Sequence, residues 1–137
     1  MSMFKWKNNN YDSLYERSPL SCRHVFTQLQ YESGYITNEE LELFDSALQT
    51  FSWDQDVVIY IRTDPQICFD RMHERSRDCE ENVSLKYLQD LHDKHESMIQ
   101  LIQEKKKNIT VFIVNGNQTA DNVYKEVLDI LKQLKVC

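Results

Sequence analysis

The chain has 137 residues, with 16 Lys plus Arg against 22 Asp plus Glu for a formal net charge of −6, and 41% of it is apolar. That length suits one domain, or a piece of a larger one, with a modest core. The acidic balance argues against a nucleic-acid partner unless the cations gather on one face. Two glycines and two prolines, about 3% of the chain where about 12% is usual, argue against an all-β sandwich. With Gly34 and Gly116 as the two glycines, these residues contain no phosphate loop of the GxxxxGK[ST] kind.

Residues Met1 to Tyr11 hold Lys and Asn but neither Arg nor an apolar core, which matches no secretory signal and no Arg-rich transit peptide. Positions 1–13 therefore read as a polar leader, and 14–137 as the folded part. Cys22, Cys68, Cys79 and Cys137 show no CxxC spacing, so the expectation is reduced thiols and no zinc. No apolar run approaches the roughly 20 residues of a membrane span. The expected location is cytoplasmic, with an organelle left open.

In chain order, Leu20 to Tyr31 and Glu39 to Phe51 predict two helices separated by a turn at Gly34. The runs Val57 to Ile61 and Ile109 to Val114 are continuous, apolar and β-branched, the pattern of parallel strands buried on both faces. After the first, Asp64 is a good N-cap and Pro65 a good first residue for a helix to about Arg75. Ser84 then caps a long helix with Leu85, Leu88, Leu91, Met98, Ile99 and Ile102 on one face, ending at Lys105, Lys106 and Lys107. After the second strand, polar Asn115 to Thr119 leads into a helical stripe of Val123, Val127, Ile130, Leu131 and Leu134. Alternating strands and helices predict an α/β architecture.

Three groups could carry chemistry. Tyr15-Glu16-Arg17-Ser18 puts a carboxylate, a guanidinium and a hydroxyl before a helix. Such a set suits an anion or a hydrated Mg²⁺, but taken alone it reads first as plain surface charge. Arg71, Arg75 and Arg77, followed by Asp78, Glu80 and Glu81, read either as a mobile cationic lid over phosphates or as an exposed helix pairing Arg with Glu. His92 and His95 in HDKHE fit neither HExxH nor HxxEH, which favours a histidine pair packed at a helix interface over a metal site. Phe26, one turn after Cys22, reads by itself as core.

Together, YERSPLSCRHVF at 15–26, DVVIYIRTDPQICFDRMHERSRDCEE at 56–81 and VSLKYLQDLHDKHESMI at 83–99 resemble the deoxynucleoside kinase family. That family contains mitochondrial thymidine kinase, the deoxycytidine and deoxyguanosine kinases and the insect multisubstrate enzyme. The likeness runs from about Leu14 to Leu134. It implies a partial P-loop NTPase-type parallel sheet flanked by helices, without the N-terminal strand and Walker A loop. It also implies transfer of the ATP γ-phosphate to the 5′-hydroxyl of a deoxynucleoside. By resemblance Glu16 sits by Mg²⁺, and Arg17 contacts the 5′-oxygen and orients a catalytic carboxylate. Arg75 and Arg77 grip ATP phosphates from a lid at about 71–83, with Arg71 at its base, and Glu80 bonds the sugar 3′-hydroxyl. Phe26 stacks on the base, and Cys22 shapes the pocket near the exocyclic groups, where a small residue leans towards pyrimidines.

The family's Gly-rich loop, its lysine and its general base have no counterpart in these residues, and KNNNYDSL stands where the family has a buried strand. The expectation is a kinase-like chain that is inactive alone, exposes apolar surface, and forms a homodimer or pairs with a related chain. The helices matching Leu20 to Tyr31 and Leu85 to Ile102 are those through which the family dimerises. The alternative is a degenerate relative acting as a dimerisation or nucleoside-binding module.

Overall fold

The structure, a computed structural model, describes residues 13–53, 55–75, 77, 80, 82–106 and 108–135. The expected polar leader lies almost wholly outside the described residues, as do Asp78, Cys79, Glu81, Lys107 and Cys137. Two compact units make up the chain, one ending at Gln55 and one beginning at Asp56.

Among its described residues the first unit has two helices. Helix α1 covers 19–32 in three pieces: Pro19–Ser21 is α-helical, Cys22–Thr27 is a π-helical turn, and Gln28–Glu32 returns to α. Ser18 starts it as an extended N-cap whose Oγ accepts the Ser21 amide at 3.2 Å, while Ser21 Oγ accepts the Ser18 amide at 2.8 Å. Pro19 follows at the first helical position, where its missing N–H costs nothing. The helix stops in a Schellman arrangement, with the Tyr35 amide on Gln30 O at 2.9 Å and the Gly34 amide on Tyr31 O at 3.0 Å. Gly34 there takes φ +76°, a conformation that costs a side-chain-bearing residue about 1–2 kcal/mol.

Helix α2, Asn38–Phe51, begins with a reciprocal capping box between Thr37 and Glu40. That contact holds the Glu40 carboxyl below its ordinary range through the Thr37 backbone amide. Arg23 fastens α1 to α2 by a fork onto Asp45, with Nε on Oδ1 and Nη2 on Oδ2 at 3.0 Å. Regular helix was expected at Leu20 to Tyr31, and the π turn within it is a departure that the apolar spacing does not announce.

In the second unit, β1 (Val57–Arg62) pairs in parallel with β2 (Thr110–Asn115), Val57 opposite Thr110 and Arg62 opposite Asn115. Two helices make the crossover between them, α3 (Pro65–Arg75) and α4 (Leu85–Lys105), and α5 (Ala120–Gln133) follows β2. The expected caps are in place. Asp64 Oδ1 accepts the Gln66 amide at 2.9 Å and Ser84 Oγ the Tyr87 amide at 3.1 Å, and Thr119 Oγ1 adds a further cap by accepting the Asn122 amide. Met98, Ile99 and Ile102 of α4 are buried, as are Ile109 and Val114.

The strands are less covered than their continuous apolar runs predict. Val57 to Tyr60 are half-buried, while Ile61 and Ile113 remain 47% and 41% exposed. Among the described residues the sheet has two strands, so each strand has one neighbour and one open edge. The expected exposed apolar surface is present too, at Leu43, Phe51 and Tyr124 among others.

Gly116 follows β2, and its amide meets Arg62 O at 2.7 Å. A Cβ there would lie 2.0 Å from Thr63 Oγ1 and 2.9 Å from Arg62 O. Gly116→Ala is expected to destabilise the second unit by roughly 1–3 kcal/mol, the range for forced overpacking. Urea unfolding followed by circular dichroism measures this, and a midpoint unchanged from wild type would contradict the close approach.

Candidate functional site

The residues expected to meet a ligand fall into both units. In the first, the chain reverses at Glu16-Arg17, where Arg17 adopts φ +67°. That left-handed conformation is unfavourable for a residue with a Cβ, so neighbouring contacts must hold it. Leaving the turn, the Arg17 guanidinium carbon sits 4.6 Å from the centre of the Phe26 ring, a cation–π distance. Glu16 is almost fully exposed, its Oε1 4.0 Å from Arg17 Nε. Cys22 and Phe26 both leave α1 within the π turn, Cys22 half-buried with a free thiol. Short π segments recur at functional sites because the widened turn re-aims side chains. Glu16, Arg17, Cys22 and Phe26 lie on one short stretch, and the direct Arg17–Phe26 contact is one that the sequence does not announce.

In the second unit, Arg71 is engaged apart from Arg75 and Arg77. Arg71 donates to three consecutive carbonyls after β2: Nη1 to Gly116 O at 2.7 Å, Nη2 to Asn117 O at 3.2 Å and Gln118 O at 2.8 Å. It fastens α3 to the loop that begins α5 and lines a cavity of about 590 Å³ with Ile61, Thr63, Gly116, Thr119 and Tyr124. Arg75 Nη2 donates to Glu80 Oε1 at 2.5 Å, whereas Arg77 is exposed. Glu80 Oε2 is buried without a hydrogen-bond partner among the described residues. The Arg75 hydrogen bond, with added pull from Arg77, holds the Glu80 carboxyl below the usual carboxylate range.

The histidines of HDKHE belong to a packed polar cluster instead. His95 stacks on Tyr60 of β1, centroids 5.9 Å apart and planes 5° from parallel. Arg62 grips Glu96 through Nε at 2.8 Å and Nη2 at 2.6 Å, with His92 Nε2 4.0 Å from the same carboxylate. Burial pushes the Tyr60 phenol well above its ordinary range, reinforced by Glu96. Burial also pulls the Glu96 acid upwards, but hydrogen bonds from Arg62 and Tyr60 outweigh it and leave the carboxyl lowered. Among the described residues no three His, Cys, Asp or Glu side chains gather to hold a metal, and no helix is long and apolar enough to cross a membrane.

Two residues near the first group went unnoticed in the sequence. Gln55 Nε2 donates to Ser18 Oγ at 3.2 Å, and the Trp53 ring lies 4.8 Å from Tyr15. Both contacts span more than thirty positions, and neither residue type signals such a role.

Two parallel strands joined through helices and followed by a further helix give the second unit an α/β architecture. The chain resembles the solved deoxyadenosine kinase from M. mycoides with bound dCTP at a TM-score of 0.65, covering 84% of this chain and 58% of that one at 15% identity. That likeness shows the fold, a P-loop NTPase-type sheet with flanking helices. The family model for Deoxynucleoside kinase matches residues 1–136, and the chain belongs to the deoxynucleoside kinase family.

Among its relatives, mitochondrial deoxyguanosine kinase of Xenopus laevis is 32% identical over 85% of this chain and 48% of its own length. Deoxycytidine kinase 2 of Gallus gallus is 33% identical over 79% of this chain and 45% of its own length. Human mitochondrial thymidine kinase 2 is 33% identical over 63% and 34% respectively. The chain therefore spans about half the length of such relatives or less.

The Arg75–Glu80 pair makes a pH prediction. A carboxylate held acidic adds stability above its unfolded value, about 4.3, and that contribution disappears as pH falls through the lowered folded value. Arg75→Met is expected to return the Glu80 carboxyl towards the unperturbed value. A carbon-detected NMR titration of Glu80 reads the change, and an unchanged titration would mean that Arg75 does not hold it.

Proposed function

We propose that this chain is the nucleoside-holding and lid part of an ATP-dependent deoxynucleoside 5′-kinase. The observation that carries the reading is the Arg17 guanidinium at the Phe26 ring beside Glu16. The cation assigned to the 5′-oxygen and the aromatic assigned to the base then share one wall. Family membership supports the same assignment, as do relatives named for deoxyguanosine, deoxycytidine and thymidine.

In this reading Phe26 stacks on the base, Cys22 borders its exocyclic edge and favours pyrimidines, and Glu80 receives the 3′-hydroxyl. Arg75 and Arg77 meet ATP phosphates, with Arg71 anchoring the base of the lid. Glu16, a single exposed carboxylate, suits Mg²⁺, which keeps several waters and takes its other ligands from phosphate. ATP with Mg²⁺ supplies the phosphoryl group and neutralises charge on its oxygens. A second copy or a related chain completes the assembly, and the free thiols of Cys22 and Cys68 suit a reducing compartment, cytosolic or organellar.

Phosphoryl transfer depends on positioning and electrostatics, and even one lost stabilising donor costs on the order of 10²–10³ in rate. These residues hold no GxxxxGK[ST] loop, so the chain alone is expected to form no 5′-monophosphate from ATP, Mg²⁺ and thymidine or deoxycytidine. Turnover abolished by Arg17→Ala would show that expectation wrong. Calorimetry should detect binding of thymidine or deoxycytidine, weakened about tenfold by Phe26→Ala, since base–aromatic stacking is worth about 1–3 kcal/mol. A folded chain that binds no deoxynucleoside would sink the reading.

A further inference from the structure

We infer that Gln55, assisted by Trp53, is a positioning residue for Arg17. Nothing in the motif itself explains how Arg17 is kept in the left-handed region. Its φ of +67° is a conformation that a side-chain-bearing residue holds only when its surroundings over-determine it. The surroundings here come from the segment after α2. Trp53 meets Tyr15 on one side of the Glu16-Arg17 pair, rings 4.8 Å apart, and Gln55 meets Ser18 on the other at 3.2 Å. The reversal is therefore gripped at both ends by residues only two positions apart.

The chemistry of Gln55 supports a polar role over simple packing. It is 8% exposed, and its Oε1 is buried with no hydrogen-bond partner among the described residues. Methionine or leucine would fill similar space without that desolvation cost, so burial alone does not account for an amide at this position. What the amide adds is a donor for Ser18 Oγ. That oxygen already accepts the Ser21 amide at 3.2 Å, and a hydroxyl has two acceptor sites, so the two donors together fill them.

Ser18 is thus fixed by its helix cap and by Gln55, and the residue immediately before it must take up the reversal. Arg17 takes it up, and its guanidinium arrives 4.6 Å from the Phe26 ring centre. Gln55 acts on Arg17 through Ser18. The link to nucleoside binding rests on the function proposed above, whereas the link to Arg17 geometry does not.

The two can be tested apart by NMR on the full chain. In the wild type, a nuclear Overhauser contact is expected between the Gln55 side-chain amide and Ser18 Hβ. A second is expected between Arg17 Hδ and the Phe26 ring, with ring-current shifts at Arg17. Gln55→Met and Ser18→Ala should each abolish the Arg17–Phe26 contact, and the double variant should be no worse than either, the non-additivity of residues acting through one bond. Deoxynucleoside affinity should fall about five- to tenfold in each single variant, the worth of one hydrogen bond.

A wild-type spectrum without the Gln55–Ser18 contact would overturn the inference before any variant is made. So would a folded Gln55→Met chain that keeps the Arg17–Phe26 contact. If the contacts behave as expected but the wild type binds no deoxynucleoside, the positioning role stands and the proposed function falls.

Discussion

The first unit depends on a backbone reversal that is unfavourable in isolation. Arg17 occupies the left-handed region, at a cost of about 1–2 kcal/mol for a residue with a Cβ. The cost is met locally by an interlocking set of hydrogen bonds in which Ser18 caps α1, Ser21 returns the bond, and Gln55 fills the remaining acceptor site of Ser18 Oγ. Pro19 makes the helix start cheap, and the π turn that follows sends Cys22 and Phe26 out of the helix within a few residues of the reversal. A strained residue beside an irregular helical turn is an arrangement that pure stability would not favour, and such arrangements cluster where proteins bind.

Electrostatics tells a parallel story in the second unit. Guanidiniums are costly to leave unpaired, and here Arg71 satisfies backbone carbonyls, Arg75 a carboxylate and Arg62 a second carboxylate. They differ in how readily they could be redirected. Arg71 reaches three carbonyls, so moving it would orphan several acceptors. Arg75 meets the Glu80 carboxylate from a half-exposed position, and ion pairs in contact with solvent are weak and exchangeable. Arg71 is thus built into the framework of the second unit, and the lid role that we propose falls to Arg75. Arg62 with Glu96, Tyr60 and His95 ties α4 to β1, which is why the histidine pair reads as packing.

Much of this was legible in the residues. Local signals act over a few positions, and they placed both strands, the caps at Asp64 and Ser84, the stop at Gly34 and the helices Pro65–Arg75 and Leu85–Lys105 to within a residue or two. The combination of Glu16, Arg17, Phe26 and the arginine helix pointed to the family to which the chain belongs. Less legible was the covering of the strands. An apolar run announces that it wants burial on both faces, but whether it obtains it depends on how far packed helices cover those faces. Ile61 and Ile113 remain exposed for that reason.

What the sequence determined by itself is therefore what short-range chemistry determines: where helices and strands begin and end, which stretch carries the acid, the guanidinium and the aromatic, and the family these segments share. Only the tertiary structure decided that Arg17 turns through a positive φ onto Phe26, that Arg71 binds a loop more than forty positions away, and that Gln55 reaches Ser18 across the first unit. The physical reason is range. A cap or a strand is set by neighbours in sequence, whereas these contacts exist only after the backbone has folded back and made buried donors and acceptors find one another in space.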